Sequence, residues 1–104
     1  MLYYGGSVAQ TPINLGANFP ANTLTTDAYE LALFSPSNTL AEVYYEVTRL
    51  NTGDVATGVI VDSSGVGLPN FAQLLTYAWN YRTNNATALA VSLDLMSDYI
   101  ETDN

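Results

Sequence analysis

The chain contains no cysteine, no histidine and no lysine, and its only bases are Arg49 and Arg82. Without cysteine there is no disulfide framework and no thiolate to act as ligand or nucleophile. Without histidine or lysine, serines such as Ser63, Ser64 and Ser92 have no base to activate them, which excludes triad and dyad chemistry. Carboxylates remain. A glycosidase-type pair needs two acids placed across a cleft, and nothing in the sequence pairs Glu42, Glu46, Asp54 and Asp62 in that way. Zinc would have to bind without Cys or His, which is rare. Calcium takes oxygen ligands, and Asn51, Thr52 and Asp54, or Asp94, Asp98, Glu101 and Asp103, supply some. Neither group has the spaced acidic loop with a distal glutamate, and the second reads as a solvated acidic tail. The glycines at 5, 6, 65 and 67 form no phosphate-binding pattern and read as turn residues. The expectation is a protein that is not an enzyme and carries no metal and no cofactor.

Charge is scarce and one-sided. Ten acids against two bases give a net charge of −8. Binding to a polyphosphate draws on Lys and Arg to release counterions, so nucleic acid is not an expected partner. An anionic membrane surface is disfavoured for the same reason. Charged residues are only 12% of the chain, against about 25% in ordinary globular proteins. Thr, Asn and Ser, 29 residues together, must supply the polar surface. Such a surface suits a protein packed in an assembly or exposed outside a cell. No apolar run approaches the roughly 18 residues of a membrane span. The opening Met1-Leu2-Tyr3-Tyr4-Gly5-Gly6 has no basic segment and no apolar h-region, so no signal peptide is expected and synthesis is placed in the cytoplasm.

At 104 residues with 48% hydrophobic residues, the chain is long enough to bury a core as one domain. Eight Val, twelve Thr and eight Tyr favour strands, because β-branched and aromatic side chains fit a pleated surface. Turn signals recur at Gly5-Gly6, Asn18 to Pro20, Ser35 to Asn38, Asn51 to Asp54, Ser63 to Gly65, Leu68 to Asn70 and Thr83 to Asn85. That spacing suits a sandwich or barrel of short strands. Between the turns, period-two alternation is legible. Tyr29, Leu31 and Leu33 oppose Glu30; Ala41, Val43, Tyr45 and Val47 oppose Glu42, Tyr44, Glu46 and Thr48. Val55 to Asp62 reads as a strand returning after the Asn51 to Asp54 turn. Leu75, Tyr77, Trp79 and Tyr81 share one face, and Leu89, Val91, Leu93 and Leu95 another, with Asn84-Asn85 as the turn between them.

Two segments also scan as helices. Leu40, Val43, Tyr44, Val47 and Leu50 fit helical spacing behind a formal capping box at Thr39 to Glu42. Phe71, Leu74, Leu75, Ala78 and Trp79 fit as well. The fold class is therefore all-β, sandwich or jelly-roll-like, with an α+β alternative carrying short helices at 40–50 and 71–82. Against the first helix, Glu42 and Glu46 would be a like-charged i,i+4 pair. Residues 1–10 read as an N-terminal arm or a first strand, ahead of a single domain over 11–104.

The residues able to make contacts are few. The stripe of Tyr77, Trp79 and Tyr81 is either core or an exposed platform for sugar rings or a protein. If it is core, Arg82 points outward. With Leu2, Tyr3, Tyr4 and Arg49, these complete the interaction candidates. Asn85-Ala86-Thr87 matches a glycosylation sequon; with no export signal expected, the match is expected to be chance.

The strand-turn runs Glu42-Val43-Tyr44-Tyr45-Glu46-Val47-Thr48-Arg49-Leu50-Asn51-Thr52-Gly53 and Tyr81-Arg82-Thr83-Asn84-Asn85-Ala86-Thr87 resemble those of small all-β structural proteins of tailed bacteriophages. The likeness is to capsid decoration (cement) proteins above all. The lack of Lys, His and Cys and the short aromatic N-terminal segment fit the same resemblance. It implies a sandwich or jelly-roll on the outer capsid surface, bound to the major capsid protein or other virion proteins, often self-associating, and carries no functional residue across. A tail or fibre adaptor domain and a carbohydrate-binding β-module are the alternatives.

Overall fold

A computed structural model describes residues 1–5, 8, 10–21, 26–36, 41–62, 66–68 and 95–101. The chain divides into two compact units, Met1–Gln73 and Leu74–Asn104. In the second, the described residues 95–101 are neither helix nor strand. The stripe at 77, 79 and 81, the helical alternative at 71–82 and the Asn84-Asn85 turn lie outside the described residues.

The first unit is built on a three-stranded antiparallel sheet in the order β1-β2-β3, with β1 at Tyr29–Phe34, β2 at Glu42–Arg49 and β3 at Asp54–Val61. No helix occurs among the described residues, so the structure here is β. The helical alternative at 40–50 is overturned: residues 42–49 are the central strand, paired along both sides. Val43, Val47 and Thr48 are stiff at χ1 and suit a strand. The strand also puts Glu42 and Glu46 across from Val61 and Thr57 rather than stacking them one helical turn apart.

Register assigns the faces. Tyr29↔Arg49, Leu31↔Val47 and Leu33↔Tyr45 pair across β1 and β2, and Val43↔Ile60, Tyr45↔Gly58 and Val47↔Ala56 across β2 and β3. These residues share one face, since paired residues project to the same side. The other face carries Glu30, Ala32 and Phe34, then Glu42, Tyr44, Glu46 and Thr48, then Val55, Thr57, Val59 and Val61. The first face holds the core, where Val47 is 6% and Ile60 7% exposed.

The β2–β3 turn closes as the sequence predicts. Gly53 N–H and Thr52 N–H donate to the Arg49 carbonyl at 2.8 and 3.2 Å. Gly53 sits at φ 78°, a left-handed conformation that a residue without Cβ adopts without steric cost. Thr52 and Asp54 join side chain to side chain at 2.5 Å over the turn.

Polar groups then fasten the preceding chain to this turn. Asn51 Oδ1 accepts from Ala28 N–H at 2.6 Å, and its Nδ2 donates to the Thr26 carbonyl at 3.0 Å. Asn18 Nδ2 donates to Asp54 at 2.9 Å, and the Phe19 ring lies 6.4 Å from that of Tyr29. At the N-terminus, Leu2 and Ile13 exchange a pair of backbone hydrogen bonds, each 2.9 Å, and Gln10 N–H donates to the Tyr4 carbonyl. Residues 1–5 thus run back along 10–13.

Candidate interaction surface

The two faces of the sheet are used differently. At its turn end the first face is closed by Arg49, whose Nε lies 2.9 Å from Asp27 Oδ2 and whose Nη1 donates to the Asn18 carbonyl at 3.1 Å. The Asp27 side chain is 6% exposed and that of Arg49 19%. A charge-assisted bond in so sheltered a place holds its geometry better than a surface ion pair. The hydrogen bond to Asp27 raises the guanidinium pKa above its ordinary value. Arg49 is therefore committed to holding β2 against the chain around Asn18 and Asp27.

The second face is open. Phe34 is 65%, Tyr44 45%, Val59 46% and Val61 61% exposed. The register aligns Phe34, Tyr44 and Val59 in one row across the three strands, and Val61 stands opposite Glu42 beside it. The Phe34 and Tyr44 rings are 6.3 Å apart and tilted by 44°. A depression of about 560 Å³ is lined by this row, by Ala32, Glu46 and Thr57, and by the residues between them, Leu33, Tyr45 and Gly58. Three carboxylates, Glu30, Glu42 and Glu46, share the face and no base does. The result is an apolar row flanked by acids.

This face went unrecognised in the sequence. Alternation marked Tyr44 as belonging with Glu42 and Glu46, but not that Phe34 and Val59 would stand beside it. The clue available was an aromatic residue on a strand's polar side. Of the candidates drawn from sequence, Leu2 and Tyr4 are half-buried in the N-terminal turn-back, while Tyr3 is 58% exposed. Arg49 is held as described. Tyr77, Trp79, Tyr81 and Arg82 lie outside the described residues. The structure brings none of Leu2, Tyr3 or Tyr4 together with Arg49 through any described hydrogen bond.

Among the described residues no three His, Cys, Asp or Glu side chains converge as metal ligands would. No described helix is long and apolar enough to cross a membrane. No protein-family model, curated protein or solved structure matches the chain.

Proposed function

We propose that this protein is a non-enzymatic virion structural protein of the capsid decoration class, binding the outer capsid lattice and stabilising it. The observation that supports the reading is the open face: a row of Phe34, Tyr44 and Val59 left exposed on the sheet. Contiguous apolar surface of this kind marks contact sites on soluble proteins. Cys, His and Lys, three of the residue types most used in acid–base and nucleophilic catalysis, are absent from the chain, which favours contact over chemistry. In this reading the sheet is one layer of a sandwich, the partner is the major capsid protein or another virion protein, and the site of action is the capsid surface. The mechanism is mass action: a protein that binds only the assembled lattice raises the cost of opening it.

The test adds purified protein to mature capsids assembled from the structural genes encoded beside its own. A rise in capsid melting temperature that saturates with protein is expected. A capsid melting curve unmoved at saturation would remove the decoration role. Phe34→Asp is expected to abolish the rise while leaving the protein's own melting temperature nearly unchanged, because the side chain it replaces is exposed.

A further inference from the structure

The outer edge of β1 is as open as the face beside it. Five of its six residues are exposed, with side chains bare on both sides of the sheet: Leu31 at 51% and Leu33 at 61% on one, Phe34 at 65% on the other. Among the described residues its single neighbour is β2, and Glu30 to Phe34 hold no hydrogen bond beyond that pairing. Natural edge strands are usually blunted by lysine, proline or a bulge. The stretch Tyr-Glu-Leu-Ala-Leu-Phe carries one charge, Glu30, at its start, no lysine or proline, and pairs with β2 without interruption.

The ladder decides which groups face outward. Leu50 N–H donates to the Ala28 carbonyl at 2.9 Å. In an antiparallel pair, hydrogen-bonded and non-hydrogen-bonded positions alternate. Glu30, Ala32 and Phe34 therefore spend their backbone groups on β2, and Leu31 and Leu33 direct theirs outward. The same alternation, started from Asp62 N–H donating to the Ala41 carbonyl at 2.9 Å, turns Val55, Thr57, Val59 and Val61 outward on β3. Yet β3 is covered on its core face, where Ile60 is buried, whereas β1 is open on both.

Charge decides the occupant. A strand added beside β1 would set its alternate residues against Leu31 and Leu33 on one face. Its intervening residues would stand against Glu30, Ala32 and Phe34 on the face that also carries Glu46 and Glu42. The first set should be apolar; in the second, a base opposite Glu30 gains a direct opposite-charge pair, and a long base opposite Ala32 stands in line with Glu46, the partner of Ala32 on β2. A second copy of this chain meets that need poorly: it has a net charge of −8, and one of its two bases is Arg49, already held by Asp27. We propose that β1 is a docking edge for an extended segment of a foreign protein that alternates apolar and basic residues and adds to the sheet as a strand. The proposal rests on the reading of this chain as a protein-binding domain, and not on the particle being a capsid.

The probe is a labelled synthetic peptide alternating Val and Lys, with its Val/Glu counterpart as control, titrated by fluorescence anisotropy against the full chain. The Val/Lys peptide is expected to bind saturably, to weaken with added salt, and to shift the amide resonances of Leu31 and Leu33. Leu33→Pro removes an outward N–H and leaves the β1–β2 ladder intact, as edge positions allow. It is expected to lower affinity roughly tenfold or more, the scale of a lost hydrogen bond plus its pairing. Leu33→Lys, which sets a charge against the peptide's valines without touching the backbone, should do the same if the proline variant fails to fold. Equal binding of the Val/Glu peptide, or binding untouched by both Leu33 variants, overturns the proposal. So does loss of binding on Val59→Pro alone, which moves the site to β3. Slow hydrogen exchange at Leu31 and Leu33 in the unbound monomer, or dimers that Leu33→Pro dissolves, would assign the edge to this chain itself. Failure of capsids to bind would leave a positive peptide result standing, so the two readings fail separately.

Discussion

The ring of Tyr45 lies across Gly58 of the neighbouring strand: a Cβ built at Gly58 would stand 2.6 Å from Tyr45 Cζ and 2.8 Å from Cε1. The two are direct partners in the β2–β3 register. Glycine weakens a strand interior, and an aromatic ring laid over it restores the missing packing. Gly58→Ala is therefore expected to cost about 1–3 kcal/mol, as overpacking does. Removing the ring should relieve most of that cost. The combined Tyr45→Ala, Gly58→Ala variant should then be more stable than the sum of the single losses by more than about 0.5 kcal/mol, beyond the additivity of independent sites. Urea unfolding of the four proteins checks it, and simple additivity would show that the two residues do not share the space.

At Gly53 the cost of substitution is conformational alone, because nothing lies within 4 Å of a Cβ there and φ is 78°. Gly53→Ala should cost about 1–2 kcal/mol, the penalty of an L-residue in the left-handed region. Gly53→Asn should cost less, since asparagine tolerates that region. Equal midpoints for the two variants in thermal unfolding would contradict this account of the turn.

Val47 and Val59 offer the same deletion on opposite faces of the sheet. Val47 is 6% exposed and Val59 46%. Val47→Ala is expected to destabilise by roughly 1–3 kcal/mol, as loss of buried methyl groups does. Val59→Ala should stay within about 0.5 kcal/mol of the parent in the isolated protein. A large loss at Val59 in the unbound monomer would mean that its face is covered there, against the proposed contact surface.

Asn51 joins the turn to the chain entering β1 through its acceptor on Ala28 and its donor on Thr26. Asn51→Ala is expected to cost about 1–2 kcal/mol, with each net hydrogen bond worth about 1 kcal/mol. Asn51→Asp retains the acceptor but turns a carboxylate oxygen against the Thr26 carbonyl, so it should cost at least as much. Amide exchange at Ala28 separates the two variants: it should accelerate in Asn51→Ala and stay slow in Asn51→Asp.

Arg49 makes its contacts from two different nitrogens, Nε to Asp27 and Nη1 to Asn18. A lysine ammonium cannot occupy both positions. Arg49→Lys should therefore lower the melting temperature. The raised pKa of Arg49 gives this contribution a definite sign: it is complete below the group's ordinary value and is lost only as pH rises through the still higher folded value. Between neutral pH and about pH 9, where arginine and the variant's lysine both stay charged, the parent–variant difference should stay flat. A difference that shrinks steadily from neutral pH upward would show that the pair is not what Arg49 supplies.

Alternation and turn chemistry carried the sequence reading where contacts are local. The opposed sets Val43, Tyr45, Val47 and Glu42, Tyr44, Glu46, and the Asn51 to Asp54 turn, were legible because each depends on neighbours a few residues away. The helical reading of 40–50 competed because Leu40, Val43, Tyr44, Val47 and Leu50 satisfy both periods. Pairing with β1 and β3 decided it, and pairing is not a property of the segment. Arg49 stands out in the sequence as a rare base, but its partner Asp27 stands 22 positions earlier, and no local pattern joins them. Asn18 and Asp54 are 36 positions apart and equally silent in sequence.

By itself the sequence determined the side-chain alternation of this region, the place of its hairpin turn, the acidic balance and the lack of Cys, His and Lys. Each follows from residue type or from spacing within one segment. Only the tertiary structure decided which faces are closed. Register set Phe34 beside Tyr44 and Val59 while Val47 and Ile60 took the core, and left Leu31 and Leu33 on an open edge. Burial belongs to the whole sheet and its neighbours, so a strand whose two sides both carry apolar residues does not announce which of them will meet solvent.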